Sequence, residues 1–130
     1  MTLSDAKKRE ALMVTMWLTL YALALSERAT GDVVGKKLGM LWYPLHMRDN
    51  SLHLVFPEMF DGGSAAPSGV KVELARFLIV GFTQVTAWRE DAPLWSITEL
   101  GISFLKQSWG NVKHVVSPVV EDQWKAVFEK

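Results

Sequence analysis

The sequence predicts a single α+β domain of 130 residues, and three observations do so. An apolar run from Ala11 to Leu25 carries helical spacing. "FTQVTAW" (82–88) alternates with a period of two and contains β-branched residues, as a strand does. Helix-start signals at Ser68 and Thr98 flank that strand on either side. With 49% of residues apolar the chain has enough material for a core, which excludes an intrinsically disordered protein.

The first helix opens near Ser4, which can cap it, and Asp5 suits the positive end of the helix dipole. Leu12, Met16, Leu20 and Leu23 form an apolar face, Thr15, Thr19, Ala22 and Ser26 a milder one, and Trp17 and Leu18 add bulk on a third side. Such a helix belongs at the centre of a fold or in a dimer seam. "KKREALMVTMWLTLYALAL" (7–25) also carries the parts of an export signal, yet Asp5 and Glu10 dilute its basic start. As a membrane span the run is short, because about 20 apolar residues are needed. A core helix is the expectation, with no membrane partner and with a homodimer through this helix as one arrangement.

Gly31 is expected to end the first helix. "VVGKKLGMLWY" reads as a short ambiguous segment halted by Pro44, and "LHLVFP" as a short strand. Asp61–Gly69 is the one clear loop, taken as internal to the domain. A second helix then runs from about Gly69 to Val80, with Val70, Leu74, Phe77 and Leu78 inward and Gly81 as its stop. "REDAP" is a polar turn between two strands, the second being "LWSI". Thr98 caps a helix with Leu100, Phe104 and Leu105 inward, ended by Gly110. The remainder, 111–130, is expected as a C-terminal extension with a strand at "VKHVV" and a short helix after Asp122.

A capped helix followed by two strands and a charged turn is the layout of a winged helix-turn-helix with a two- or three-stranded β-wing. The residues agree. Trp95-x-Ile97-Thr98-x-x-Gly101-x-x-Phe104-Leu105 resembles the wing and post-wing helix of small phage and mobile-element winged-helix proteins. The resemblance covers residues 70–109. It implies a small regulator that binds double-stranded DNA in the cytoplasm of a bacterial host. Lys71 and Arg76 would then lie on the recognition helix, Arg89 in the wing, and Lys36 and Lys37 would support phosphate contacts.

The residues also point another way. Fourteen basic and fourteen acidic side chains leave no net charge to steer the chain to nucleic acid. The outward face of the 70–80 helix reads Lys71, Val72, Ala75, Arg76 and Ile79, which offers few of the Arg, Lys, Asn or Gln side chains that read bases. Glu90 and Asp91 follow Arg89 and would face phosphates. The alternative is a winged helix that binds and inhibits a host or defence-system protein, with Val72, Ile79, Trp42 and Tyr43 as contacts. Trp42, beside Tyr43 in a Gly- and Pro-interrupted stretch, is expected as an exposed anchor.

No catalytic site, metal or cofactor is expected. "GDVVGKKLG" fails as a phosphate loop, because three residues separate its glycines instead of four and Lys37 occupies the magnesium-binding position. His46 and His53 match no zinc spacing, and Cys is absent. Asp49, Ser51 and His53 hold the residue types of a hydrolase triad but read more simply as a turn.

Overall fold

A computed structural model describes residues 5–48 and 67–129. Among them are four helices and a two-stranded antiparallel sheet, in the order α1 (Asp5–Ala24), α2 (Gly31–Arg48), α3 (Pro67–Ile79), β1 (Thr83–Arg89), β2 (Ala92–Ile97) and α4 (Glu99–Phe128). The fold is α+β, as the periodicities predict.

α1 is the central helix. Trp17, Leu18, Leu20, Tyr21, Ala22 and Leu23 are fully enclosed, and Thr15 and Thr19 are buried with them. The two threonine hydroxyls donate back to the carbonyls of Ala11 and Thr15, so the milder face enters the core without an unmet polar group. Leu12 departs from expectation, being exposed at the start of the apolar face, and Met16 is half-buried.

α2 overturns the reading of residues 31–48. Gly31 does not close α1, which ends at Ala24; it opens an 18-residue helix that runs through Gly35, Gly39 and Pro44. Thr30 caps this helix, its hydroxyl accepting from the Val33 N–H. Val34, Leu38, Trp42 and Leu45 form a buried stripe at helical spacing. Pro44 is tolerated because the carbonyl it leaves unbonded belongs to Met40, on the solvent face. Trp42 is therefore a core residue, 0% exposed, and not the surface anchor its neighbours suggest. The strand expected at "LHLVFP" and the triad-like Asp49, Ser51 and His53 lie outside the described residues, as does most of the 61–69 loop.

α3 begins at Pro67, a residue suited to the first helical position, so the helix starts earlier than expected. Val70, Leu74 and Phe77 are buried, whereas Leu78 is exposed. Gly81 takes a left-handed φ of 86° and turns the chain into β1. β1 and β2 pair from Thr83↔Ile97 to Arg89↔Ala92, with one extra residue between Val85 and Ala87 and the two-residue turn Glu90-Asp91. A lone bridge adds Ala29 to the other edge of β2, its N–H and C=O exchanging bonds with Trp95 at 2.9 and 2.8 Å. This pins the α1–α2 connection to the sheet.

α4 is the largest correction. The helix does not stop at Gly110, and "VKHVV" is not a strand; residues 99–128 form one 30-residue helix. Gly101, Leu105, Val112, Val116, Val120 and Trp124 are its buried stripe. Pro118 sits within it on the solvent side, so water can reach the His114 carbonyl it deprives of a donor. Leu100, expected inward, is exposed. The C-terminal half of α4 returns along α1 and builds an aromatic cluster. Trp17 stacks on Tyr21 at 4.9 Å, Trp109 on Trp124 at 4.7 Å, and Trp124 on Phe128 at 4.6 Å. The Trp17 indole N–H donates to the Leu105 carbonyl and the Tyr21 hydroxyl to the Gln123 amide oxygen.

Candidate docking and nucleic-acid interface

The outward face of α3 is where the sequence places the function. Val72 and Ile79, seven residues apart, share this face, and Ile79 is 85% exposed. Leu78 and Val80 extend the apolar surface at the helix end. Leu100 reaches this end from α4, its side chain 3.4 Å from where a Cβ on Gly81 would stand.

The two cations of α3 are engaged within the molecule. Arg76 holds the carboxylate of Glu73 at 2.9 Å, and that carboxylate is buried. A buried carboxylate needs its countercharge, so Arg76 is tied to it. The stem of Lys71 packs on Gly31 at the start of α2, its Cγ 2.7 Å from where a Cβ would sit. Its ammonium lies 3.9 Å from Asp32, an exposed and weak pair.

On the other side of Glu73 and Arg76 lies an apolar groove of about 340 Å³ between α1, α3 and α4, floored by Phe77, Phe82 and Phe104. Phe82 and Phe104 stack at 4.7 Å. Leu12 and Met16 of α1 form its far wall, which explains why this end of the apolar face is not covered.

The remaining predicted cations sit apart from α3. Lys36 is exposed on α2. Lys37 is half-buried, and its ammonium donates to the Ser26 hydroxyl at 2.6 Å. Lys37 and Arg89 line one cavity with Arg28, a residue the sequence reading passed over. Tyr43 is half-exposed, while Trp42 behind it is sealed. The tryptophan that does reach the surface is Trp88, 68% exposed beside the hairpin turn and paired in register with Pro93. Strand alternation misplaces it, because once the extra residue is counted Trp88, paired with Pro93, shares a face with Val85, paired with Trp95.

A second link joins α1 to α4: His114 and Glu10 are hydrogen-bonded at 2.8 Å, and this bond is the main reason the Glu10 carboxyl is held below its usual range. Among the described residues, no cluster of three His, Asp or Glu side chains could hold a metal ion. No described helix is long and apolar enough to cross a membrane. No family model, curated protein or solved structure matches the chain.

Proposed function

We propose that the chain is a winged-helix domain that works by binding another protein through the exposed face of α3 and the tip of the β1–β2 hairpin. One observation carries this reading: the face that would enter a DNA groove presents exposed Val72 and Ile79, with exposed Leu78 and Val80 at the helix end, while its Arg76 is bound to buried Glu73. Exposed aliphatics on α3 and an exposed Trp on the hairpin are the make-up of a protein contact. Trp88 takes the anchoring role expected of Trp42. Phage-like inhibition of a host or defence-system protein is the biological setting the sequence resemblance supplies. No catalytic step belongs to this proposal.

Binding of double-stranded DNA is the second reading, favoured by Lys36, Arg28 and Arg89, none of which makes an ion pair among the described residues. Titrating duplex DNA between about 50 and 200 mM salt separates the two. A DNA binder loses affinity at a log–log slope of about −0.9 per phosphate neutralised. The protein reading expects no salt-steep duplex binding, together with a stoichiometric partner complex that Val72→Asp with Ile79→Asp abolishes while the circular dichroism spectrum is retained. A slope equivalent to several phosphates, reduced by Lys71→Ala, would reverse the order of the two readings.

A further inference from the structure

The cavity behind the hairpin is a different kind of surface from the α3 face. It is a cleft open to solvent with a volume of about 510 Å³, in the range of small-molecule pockets. Three cations converge on it from three separate elements: Arg28 from the α1–α2 connection, Lys37 from α2 and Arg89 from the end of β1. Glu27 is the one carboxylate on its walls, so the lining carries two net positive charges. Glu90 and Asp91 follow Arg89 in the turn but are not part of the wall.

The backbone that carries Arg28 and Arg89 is anchored, and Lys37 is held through its side chain. The Ala29–Trp95 bridge fixes the backbone next to Arg28. The Ser26 hydroxyl holds the Lys37 ammonium, and Arg89 is the last residue of β1 paired in the ladder, opposite Ala92. Thr30 and Val33, from the capped first turn of α2, line the same space and bring the positive end of that helix to it.

We propose that this cavity binds a small organic phosphomonoester, with the phosphate on Arg28, Lys37 and Arg89. A dianion matches the net charge of the lining, and guanidinium groups bond phosphate oxygens in pairs. The cavity is several times larger than a phosphate, so an organic body is needed to fill it. Val33 and Leu94 give that body an apolar side. Glu27 offers an acceptor to a hydroxyl and repels a second anionic group, which selects against di- and triphosphates. The ligand would join the α1–α2 connection to the hairpin, and so stiffen the element that carries Trp88. This assignment does not depend on which macromolecule α3 binds.

Calorimetric titration of the full chain with adenosine monophosphate, adenosine, inorganic phosphate and duplex DNA tests it. The monophosphate should bind and adenosine should not. Arg28→Gln with Arg89→Gln should lower the affinity at least tenfold, while Lys125→Gln, at a distant pair with Glu121, should leave it unchanged. An unchanged thermal midpoint shows that the double variant is folded, and Lys37→Gln alone provides a second, milder reading of the same loss. Equal binding of adenosine, an affinity unaffected in the folded double variant, binding of inorganic phosphate without the monophosphate, or duplex binding that the double variant abolishes while the monophosphate fails to bind would each overturn the assignment.

Discussion

Thr98 and Gly101 show how single residues set the geometry of this chain. The Thr98 hydroxyl accepts from the Gly101 N–H at 3.1 Å, which caps α4, and donates to the Gly81 carbonyl at 2.6 Å, which ties that cap to the end of α3. Gly101 sits so close to the Phe82 carbonyl and the Ile97 side chain that a Cβ would stand 2.6 Å from Ile97 Cγ1. Gly101→Ala should therefore destabilise the fold by about 2–3 kcal/mol, read as a lower denaturant midpoint at unchanged slope. A neutral result would mean that α4 can slide away from the hairpin. The motif that resembles a winged helix is thus a set of joints: Trp95 binds the α1–α2 connection, Thr98 caps, Gly101 allows close approach, and Phe104 stacks on Phe82. The Thr98 cap is legible in sequence because its partner lies three residues away, whereas Trp95, Gly101 and Phe104 meet residues far back in the chain. The fate of Arg76 was not legible either, since nothing in the chain announces that Glu73 is buried.

At the scale of elements, the chain's punctuation marks misled where they stand on a helix's wet side. Gly110 reads as a stop, yet it is exposed within α4 with no atom within 4 Å of its missing Cβ. Gly110→Ala should stabilise the protein by about 0.5–1 kcal/mol, measured by thermal or denaturant unfolding. Had the helix ended there, alanine would bring no gain. Pro44 and Pro118 follow the same logic, because a helix can lose one bond where water replaces it. The apolar stripe of α2 outweighs its breaker, whereas α4 bends between Trp109 and Trp124, whose rings would stand about 22 Å apart along a straight helix. Val34, Leu38, Trp42 and Leu45 were visible as a 3.6-residue period, but the glycines between them drew attention to loop chemistry. In the hairpin the strands and turn were legible, because alternation and the Glu90-Asp91 pair are local signals. The cavity was not, since it joins residues 26–37 to residue 89 only after the Ala29 bridge has formed.

For the whole molecule, the contact between α1 and α4 organises everything else. The Tyr21 hydroxyl lies inside it, and burial pushes its pKa up to about 12. The folded state therefore favours the protonated phenol. Its contribution is complete below pH 10, where the unfolded chain's tyrosine is also protonated, and is lost as pH rises from 10 to 12. Stability should fall by up to about 2–3 kcal/mol over that interval, beyond the loss shown by Tyr21→Phe. Denaturant midpoints of the two proteins at pH 8 and pH 11.5 check this; parallel curves would show that the phenol is open to solvent. The sequence correctly made α1 the centre, because a helix apolar on most sides has to be enclosed. It offered a second copy of the chain as one cover, and in the structure α2 and the far half of α4 supply that cover from within.

The stacked rings between α1 and α4 have an optical consequence. Trp109 and Trp124 lie nearly parallel at an interplanar angle of 16°, with Trp17 and Tyr21 against them. Indoles this close share excitation, so the folded protein carries its own chromophore, with a coupled near-ultraviolet dichroism band and self-quenched emission. That signal belongs to the α1–α4 seam alone, whereas Trp88 emits separately from the hairpin tip. Near-ultraviolet dichroism can thus follow the integrity of this seam without any label.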